Sequence, residues 1–116
     1  MTDTFDNVLN KTSIEPRPVL FVSDRTGITA ENLGHALLTQ FSSMKFQHHS
    51  MPFIDSEEKA RTAADMISRI AKTSQQKPLV FSTIIDDVYR KIIAGTEVHV
   101  IDFFDAFIKP LEIELC

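Results

Sequence analysis

The chain has 116 residues, which is enough for one small domain with a hydrophobic core. Its composition, 43% hydrophobic and 24% charged, is ordinary for a globular protein. The formal net charge of −4 lacks the basic excess typical of proteins that bind nucleic acids, so we expect no nucleic-acid partner.

Cysteine usage and hydropathy indicate the compartment. The single cysteine, Cys116, excludes a disulfide within the chain and is typical of a reducing environment. No apolar run approaches the roughly 20 residues that a membrane-spanning helix needs, and the N-terminus lacks a signal-peptide pattern. We therefore predict a cytoplasmic protein with no membrane partner.

Residues 1–17 are polar and show no clear periodicity, which predicts a flexible leader before a domain that covers residues 18–116. The apolar run Val19–Val22 then predicts a strand buried on both faces. A helix is predicted from about Gly27 to Phe41. The residues predicted to form its buried face are Ala30, Leu33, Gly34, Leu37 and Phe41. A glycine on that face, Gly34, predicts a close approach of the helix to the sheet.

A second strand is predicted over residues 44–53, and Pro52 favours an edge or terminal position for it. A helix follows to about Lys72, capped by Asp55 or Ser56, and Asp55 with Glu58 resembles a capping box. Its predicted buried stripe consists of Ala60, Ala63, Ala64, Ile67 and Ile70.

A third apolar strand is predicted over residues 78–83, followed by a helix with Asp86 at its start and Gly95 as its stop signal. A fourth strand is predicted over residues 96–103, with Asp102 at its end. The last helical segment, residues 105–115, is expected to be interrupted by Pro110.

Strands and helices thus alternate along the whole domain. This order predicts a three-layer α/β fold with a mostly parallel sheet of about four strands and helices on both faces. Ligands of such sheets bind outside the carboxyl ends of the strands. Three predicted strands end in polar residues, at Ser23-Asp24, Ser82-Thr83 and Asp102, and we expect these ends to converge on one crevice.

The loop after the first strand is the predicted ligand site, because a strand that opens into a helix through small polar residues exposes free N–H groups. Its candidate ligand-binding residues are Ser23, Asp24, Arg25, Thr26, Gly27 and Thr29. Arg25 supplies a positive charge for an anion such as phosphate. Asp24 repels phosphate unless a cation or a proton intervenes. The alternative is simple capping of the helix by Thr26 or Thr29.

Other kinds of site lack their signatures. The chain has neither G-x-x-x-x-G-K-S/T nor G-x-G-x-x-G, and it contains three glycines in all. His48 and His49 are adjacent on a predicted strand, so they point to opposite faces, and neither His35 nor His99 adds ligand spacing. We expect no metal site. A serine nucleophile elbow is also missing.

The segment VLFVSDRTGITAENLGHALLTQF resembles the N-terminal part of the pyruvate, phosphate dikinase and phosphoenolpyruvate synthase regulatory proteins, which are bifunctional serine/threonine kinases and phosphorylases. The pattern V/I-S-D-x-T-G-I-T-A-E-x-L-G-H is matched by Val22, Ser23, Asp24, Thr26, Gly27, Ile28, Thr29, Ala30, Glu31, Leu33, Gly34 and His35. Many members have glycine in place of Arg25. The later segments PFI, PLVFSTI and IDFFDAFIKPLE follow in the family's order, so the resemblance covers the chain from Pro18 onward.

The resemblance implies an isolated N-terminal domain, since family members are much longer and their GVSR-x-x-KTP phosphate-binding segment, absent here, lies in a C-terminal kinase-like domain. It implies that the whole protein uses ADP, or ATP, to phosphorylate a threonine of phosphoenolpyruvate synthase or pyruvate, phosphate dikinase, and reverses this with phosphate. No cofactor is expected for the 116 residues alone, and the domain is expected to dock the substrate protein, to form a homodimer or to contribute to the active cleft. The alternatives are a stand-alone α/β module that binds an anion and a small enzyme that uses Asp24 or Asp102.

Overall fold

The computed structural model describes residues 16–116. Their elements are β1 (Arg17–Val22), α1 (Ile28–Leu38), β2 (Phe46–Met51), α2 (Glu57–Thr73), β3 (Leu79–Ser82), α3 (Asp87–Ala94), β4 (His99–Asp102) and α4 (Lys109–Leu115), with a π-helical turn (Phe104–Ile108) between β4 and α4. Residues 1–15 of the predicted leader lie outside the described part, and its last residue, Arg17, is the first residue of β1.

The four strands form one parallel sheet in the order β2-β1-β3-β4, which confirms the predicted α/β class. The chain runs outward from β1 to β2 and then crosses back over β1 to β3. The direction of travel across the sheet therefore reverses between β1 and β3. In open parallel sheets this switch point leaves a crevice outside the strand carboxyl ends, because the connections leave on opposite faces.

Helices cover both faces of the sheet, as predicted, because the inner strands alternate their side chains between two cores. On one face Leu20 and Val22 of β1 pack with α2 and α3. On the other face Val19 and Phe21 pack with α1 and with Phe103. The members of the first core are Leu20, Val22, Ile54, Ala60, Ala63, Ile67, Val80, Ile84 and Ile93, and those of the second are Val19, Phe21, Ala30, Leu38, Phe81 and Phe103.

Helix α1 is shorter than predicted, and its buried face is rotated from the predicted one. The fully buried positions are Ala30, Gly34 and Leu38, each one turn after the last. The prediction that Leu33, Leu37 and Phe41 are buried is wrong, since these side chains are 39%, 43% and 55% exposed. A helix that lies close to a sheet buries a narrow strip, and two of the three residues in this strip, Ala30 and Gly34, are small.

The predicted close approach at Gly34 is confirmed. A Cβ atom added there would lie 2.3 Å from Cε1 of Phe21, a distance that no packed carbon pair tolerates. The α1 backbone therefore rests directly on the Phe21 ring, and the glycine is required by space rather than by backbone conformation.

The rotation of α1 predicts that truncating two adjacent leucines lowers the free energy of unfolding by very different amounts. Leu37→Ala should lower the free energy of unfolding by well under 1 kcal/mol, because surface changes away from special features have small effects. Leu38 is only 9% exposed, so Leu38→Ala should cost about 2 kcal/mol or more. Urea unfolding of both variants measures the difference, and equal losses would contradict the observed orientation of α1.

Helix α2 begins at a serine cap. Ser56 Oγ accepts a hydrogen bond from the backbone N–H of Lys59. The predicted Asp55–Glu58 capping box is wrong, because the Asp55 carboxylate instead accepts from Lys59 Nζ at 2.9 Å. That hydrogen bond and the lysine charge lower the pKa of Asp55. The predicted stripe is buried at Ala60, Ala63 and Ile67, whereas Ala64 and Ile70 are partly exposed.

The C-terminal helical segment accommodates Pro110 through a widened turn. Lys109 N donates to the carbonyl of Phe104, five residues earlier, which is the bond of a π turn. Pro110, which has no N–H to donate, then lies within the first two positions of α4. The predicted interruption is thus a change of helix type just before the proline. No helix in the part of the chain from residue 16 onward has the length and apolar character to cross a membrane.

Candidate functional site

The loop after β1 is held in place by backbone hydrogen bonds to the segment after β2. The carbonyl of Ser23 accepts from Ile54 N at 2.9 Å, and the carbonyl of Arg25 accepts from Phe53 N at 2.8 Å. Phe53 adopts a left-handed conformation with φ of 60°, which is unfavourable for a bulky side chain and leaves the ring 55% exposed. The loop is therefore fixed in shape by its neighbour on the edge of the sheet.

Gly27 is the N-cap of α1. Its φ of 86° lies in the left-handed region, which glycine adopts without steric cost. The alternative interpretation, in which Thr26 or Thr29 is the N-cap, is wrong, since no side chain caps the helix in this way. Thr26 Oγ1 instead accepts a 3.4 Å hydrogen bond from Ile28 N.

Asp24 connects the loop to the next strand across the switch point. Its Oδ2 accepts from the backbone N–H of Ile85 at 3.3 Å, and Thr83 N donates to the carbonyl of Val22. The carboxylate that would repel an anion is thus engaged with the β3–α3 connection. This contact makes Asp24 an anchor of the crevice wall.

These connections enclose a crevice of about 410 Å³ at the switch point, a volume in the range of small-molecule sites. All six predicted ligand-binding residues line it, together with Thr83 from the end of β3. The prediction that this loop faces a crevice near the end of the third strand is therefore confirmed. The apolar part of the wall is formed by Ile28, Leu33, Ile85, Phe103, Phe104, Phe107 and Ile108.

The crevice is lined by both polar and apolar side chains. Its polar lining includes the Arg25 side chain, which makes no hydrogen bond or ion pair with any residue in the range 16–116. Thr26, Thr29 and Thr83 add hydroxyl-bearing side chains to the same lining. An unpaired guanidinium beside hydroxyl donors suits an anionic group, whereas the phenylalanine wall suits an apolar or aromatic group.

Asp102 lies outside this crevice, which corrects the prediction that all three polar strand ends converge. Its Oδ2 accepts from Arg90 Nε at 2.9 Å, and its Oδ1 accepts from Phe104 N at 2.9 Å. Arg90 also bonds Asp87 and Asp105, each at 2.7 Å. Burial works to lower the pKa of Arg90, but Asp102 and Asp105 outweigh it and the pKa is raised. This cluster fixes the π turn, whose side chains form the crevice wall.

Sequence reasoning missed a pair of histidines between α1 and β2. The rings of His35 and His48 lie 4.5 Å apart, and both pack on the Phe21 ring. Beside them Ser50 Oγ donates to the Glu31 carboxylate. Two spacings in the sequence could have indicated this cluster. Glu31 and His35 are four residues apart on a helix, and His48 and Ser50 are two apart on a strand, so the members of each pair lie on one face. No group of three or more potential metal ligands is present within the described residues.

This histidine pair predicts a pH dependence of stability. Desolvation and the nearby His35 lower the pKa of His48. A histidine with a lowered pKa in the folded state is neutral in both states at high pH. As the pH falls through the ordinary imidazole range, the unfolded chain binds the proton first, so the folded state loses stability.

We therefore expect the melting temperature of the wild type to fall from pH 8 to pH 5 more than that of His48→Gln. Thermal unfolding followed by circular dichroism at both pH values measures this difference. His99→Gln, at an exposed position of β4, is the control and should shift the melting temperature equally at both pH values. Parallel pH profiles for wild type and His48→Gln would contradict the prediction.

Comparison with known proteins shows the family. The profile of the kinase/pyrophosphorylase family matches residues 19–116, which is most of the chain. The chain belongs to this family. The resemblance stated from the Val22–His35 pattern is thereby confirmed.

Three of the relatives that the chain matches are named as phosphoenolpyruvate synthase regulatory proteins. One, from Alkalilimnicola ehrlichii, is 50% identical over 99 residues, which are 85% of this chain and 36% of the relative. Another, from Neisseria gonorrhoeae, is 45% identical over 100 residues, which are 86% of this chain and 37% of the relative. A third, from Alcanivorax borkumensis, is 44% identical over 99 residues, which are 85% of this chain and 36% of the relative. The chain spans little more than a third of the length of these relatives.

Proposed function

We propose that this chain is the N-terminal domain of a longer kinase/pyrophosphorylase that regulates phosphoenolpyruvate synthase or pyruvate, phosphate dikinase. The longer protein would phosphorylate a threonine of its target with ADP and would remove the phosphate with inorganic phosphate, giving pyrophosphate. The observation that carries the proposal is the family match over residues 19–116, joined to relatives named for regulation of phosphoenolpyruvate synthase.

Within that protein, the crevice at the switch point would bind an anionic group. Arg25 is the cation, and the hydroxyls of Thr26, Thr29 and Thr83 are the neutral donors among the lining residues. Asp24 remains a negative group in the crevice lining, although its carboxylate accepts a hydrogen bond from Ile85 N, so binding of an anion depends on the positive charge of Arg25. Phosphate-bearing ligands fit this set of donors, since charge-assisted bonds from arginine to phosphate are the strongest available here.

Phosphoryl transfer requires more than this crevice supplies. The reaction depends on backbone N–H groups, a cation and usually a metal ligand positioned together around the transferred group. The 116 residues contain no glycine-rich phosphate-binding motif with its lysine. We therefore assign transfer chemistry to the part of the relatives that this chain does not match, and a supporting binding role to the crevice.

The test uses a joined protein, in which this chain replaces the matched part of the Alkalilimnicola ehrlichii relative. With ADP labelled in the transferred phosphate, the joined protein should label phosphoenolpyruvate synthase on threonine, whereas the 116-residue chain should not. Arg25→Gln in the joined protein should reduce labelling at least tenfold. Arg61→Gln is the control, because Arg61 forms an exposed pair with Glu57 on α2 and does not line the crevice, and it should leave labelling unchanged.

Robust labelling by the 116-residue chain alone would overturn the assignment of transfer chemistry to the unmatched part. Labelling that is insensitive to Arg25→Gln would overturn the role of the crevice while leaving the proposed activity intact. The cytoplasmic location and the homodimer remain predictions, and sedimentation equilibrium of the joined protein tests the second of these.

A stand-alone anion-binding module is the second candidate function. The observation that favours it is that Arg25 lines the crevice with a guanidinium that has no partner among residues 16–116. In this case the 116-residue chain should bind pyrophosphate by itself in calorimetry, and Arg25→Gln should abolish the binding heat. Absence of binding to the isolated chain would exclude this candidate.

A further inference from the structure

The last helical segment of the chain carries an exposed apolar stripe. We define the terminal stripe as Phe107, Ile108, Leu111 and Leu115, which are 47%, 46%, 51% and 77% exposed. Their spacing of one, four and eight residues places them on one side of the helix that runs from the π turn through α4. Phe107 and Ile108 also line the crevice, so the terminal stripe continues the apolar wall of the candidate site.

The π turn and α4 are poorly supported by the rest of the described chain. No residue of the π turn or of α4 is buried, and the main packing of α4 is against the π turn that precedes it. Helices shorter than about 12–15 residues are marginal in water, and most of their stability in proteins comes from burial of an amphipathic face. A regular helix with its apolar face in solvent therefore indicates a partner that covers it.

The charges beside the terminal stripe distinguish between partners. At about 100° per residue, Glu112 borders the stripe on one edge and Glu114 on the other. A second copy packed on this stripe would bring four carboxylates to one seam, which is unfavourable because like charges repel. The fitting partner is instead an apolar surface with a basic rim.

We propose that the terminal stripe is the surface on which the remaining part of the longer protein packs, through an apolar groove flanked by lysine or arginine. This inference rests on the proposal that the chain is part of a longer protein. Support comes from the relatives, in which nearly two thirds of the length lies outside the matched part, and from the family match, which includes the whole helix. The packing would also place the remaining part beside the crevice.

The experiment compares two substitutions by aspartate on opposite sides of α4 in the joined protein. Leu115 lies on the stripe, whereas Ile113 lies on the opposite side, and both side chains are 77% exposed. Hydrogen exchange of the α4 amides should become at least tenfold faster in Leu115→Asp than in the unsubstituted joined protein. Ile113→Asp is the matched control and should change the exchange by less than twofold.

In the 116-residue chain, neither variant should alter the exchange or the melting temperature, because nothing covers the stripe there. Equal exchange in the two joined variants would overturn the proposal. A 116-residue chain that dimerises, and becomes monomeric with Leu115→Asp, would also overturn it in favour of a second copy.

If the joined protein does not fold, the intact Alkalilimnicola ehrlichii relative gives the same measurement. Its amides aligned with residues 109–115 should be protected in the whole protein and exposed in a version cut back to the matched part, and equal exchange in both would overturn the proposal. Since exchange does not depend on phosphoryl transfer, its result separates failure of the packing surface from failure of the proposed function.

Discussion

Phe81→Ala should lower the free energy of unfolding by about 3–5 kcal/mol, the largest loss expected from any single change proposed for this chain. Phe81 lies on the central strand β3 with only 1% of its surface exposed. Its ring stacks on Phe21 at 5.7 Å and contacts Phe103 at 5.9 Å. Removing it leaves a cavity beside Phe103, which lines the crevice, so the change would also disturb the ligand binding that we propose for this crevice.

Urea unfolding followed by circular dichroism measures this loss. Phe41→Ala is the control, since Phe41 is 55% exposed and the change removes the same atoms from solvent rather than from the core. If Phe81→Ala does not fold at all, Phe81→Leu should still fold with a smaller loss. Similar losses for Phe81→Ala and Phe41→Ala would contradict the packing of the core described above.

Gly34→Val should lower the free energy of unfolding by about 2–3 kcal/mol, near the upper end for overpacking of a core. The added Cβ would meet the Phe21 ring at 2.3 Å, and that ring is itself held between Phe81 and His48. The ring has no free space to enter, so α1 must move away from the sheet. The start of α1 borders the crevice, and this shift would therefore also weaken the anion binding that we propose for it.

Gly95→Ala is the matched glycine control. A Cβ at Gly95 would lie 3.4 Å from the carbonyl of Ile92, which is tolerable, and its φ of −73° suits alanine. Thermal melts of the two variants should show a marked decrease for Gly34→Val and little change for Gly95→Ala. A tolerated Gly34→Val would mean that α1 is not fixed against Phe21.

The parallel sheet and its two helical layers follow from local sequence signals. The four consecutive apolar residues Val19–Val22 predict a strand that is buried on both faces. Pro52 predicts an edge strand, and β2, which precedes it, lies at the edge of the sheet. Gly34 within a helical pattern indicated the close approach to the sheet correctly. These features are predictable because each depends on the conformation or the size of residues near one another in the chain.

The orientation of α1 and the position of Asp102 were not predictable in this way. Periodicity alone gives nearly equal weight to Leu37 and Leu38, and the choice between them depends on where the Phe21 ring lies. The sequence pattern groups Asp102 with the other polar strand ends, because nothing local indicates that Arg90, twelve residues away, binds it. For the same reason the contact of Asp24 with Ile85, which is 61 residues distant, could not be inferred.

The sheet order has a consequence for how the chain folds. In the first unit, β1–α1–β2, the paired strands β1 and β2 are separated along the chain by little more than one helix. The paired strands β1 and β3 are separated by roughly 60 residues. Loop closure over a longer segment costs more entropy, and such pairings slow folding. The central pair of the sheet should therefore form after the first unit and limit the folding rate, so that changes in β3 slow refolding more than changes in β2.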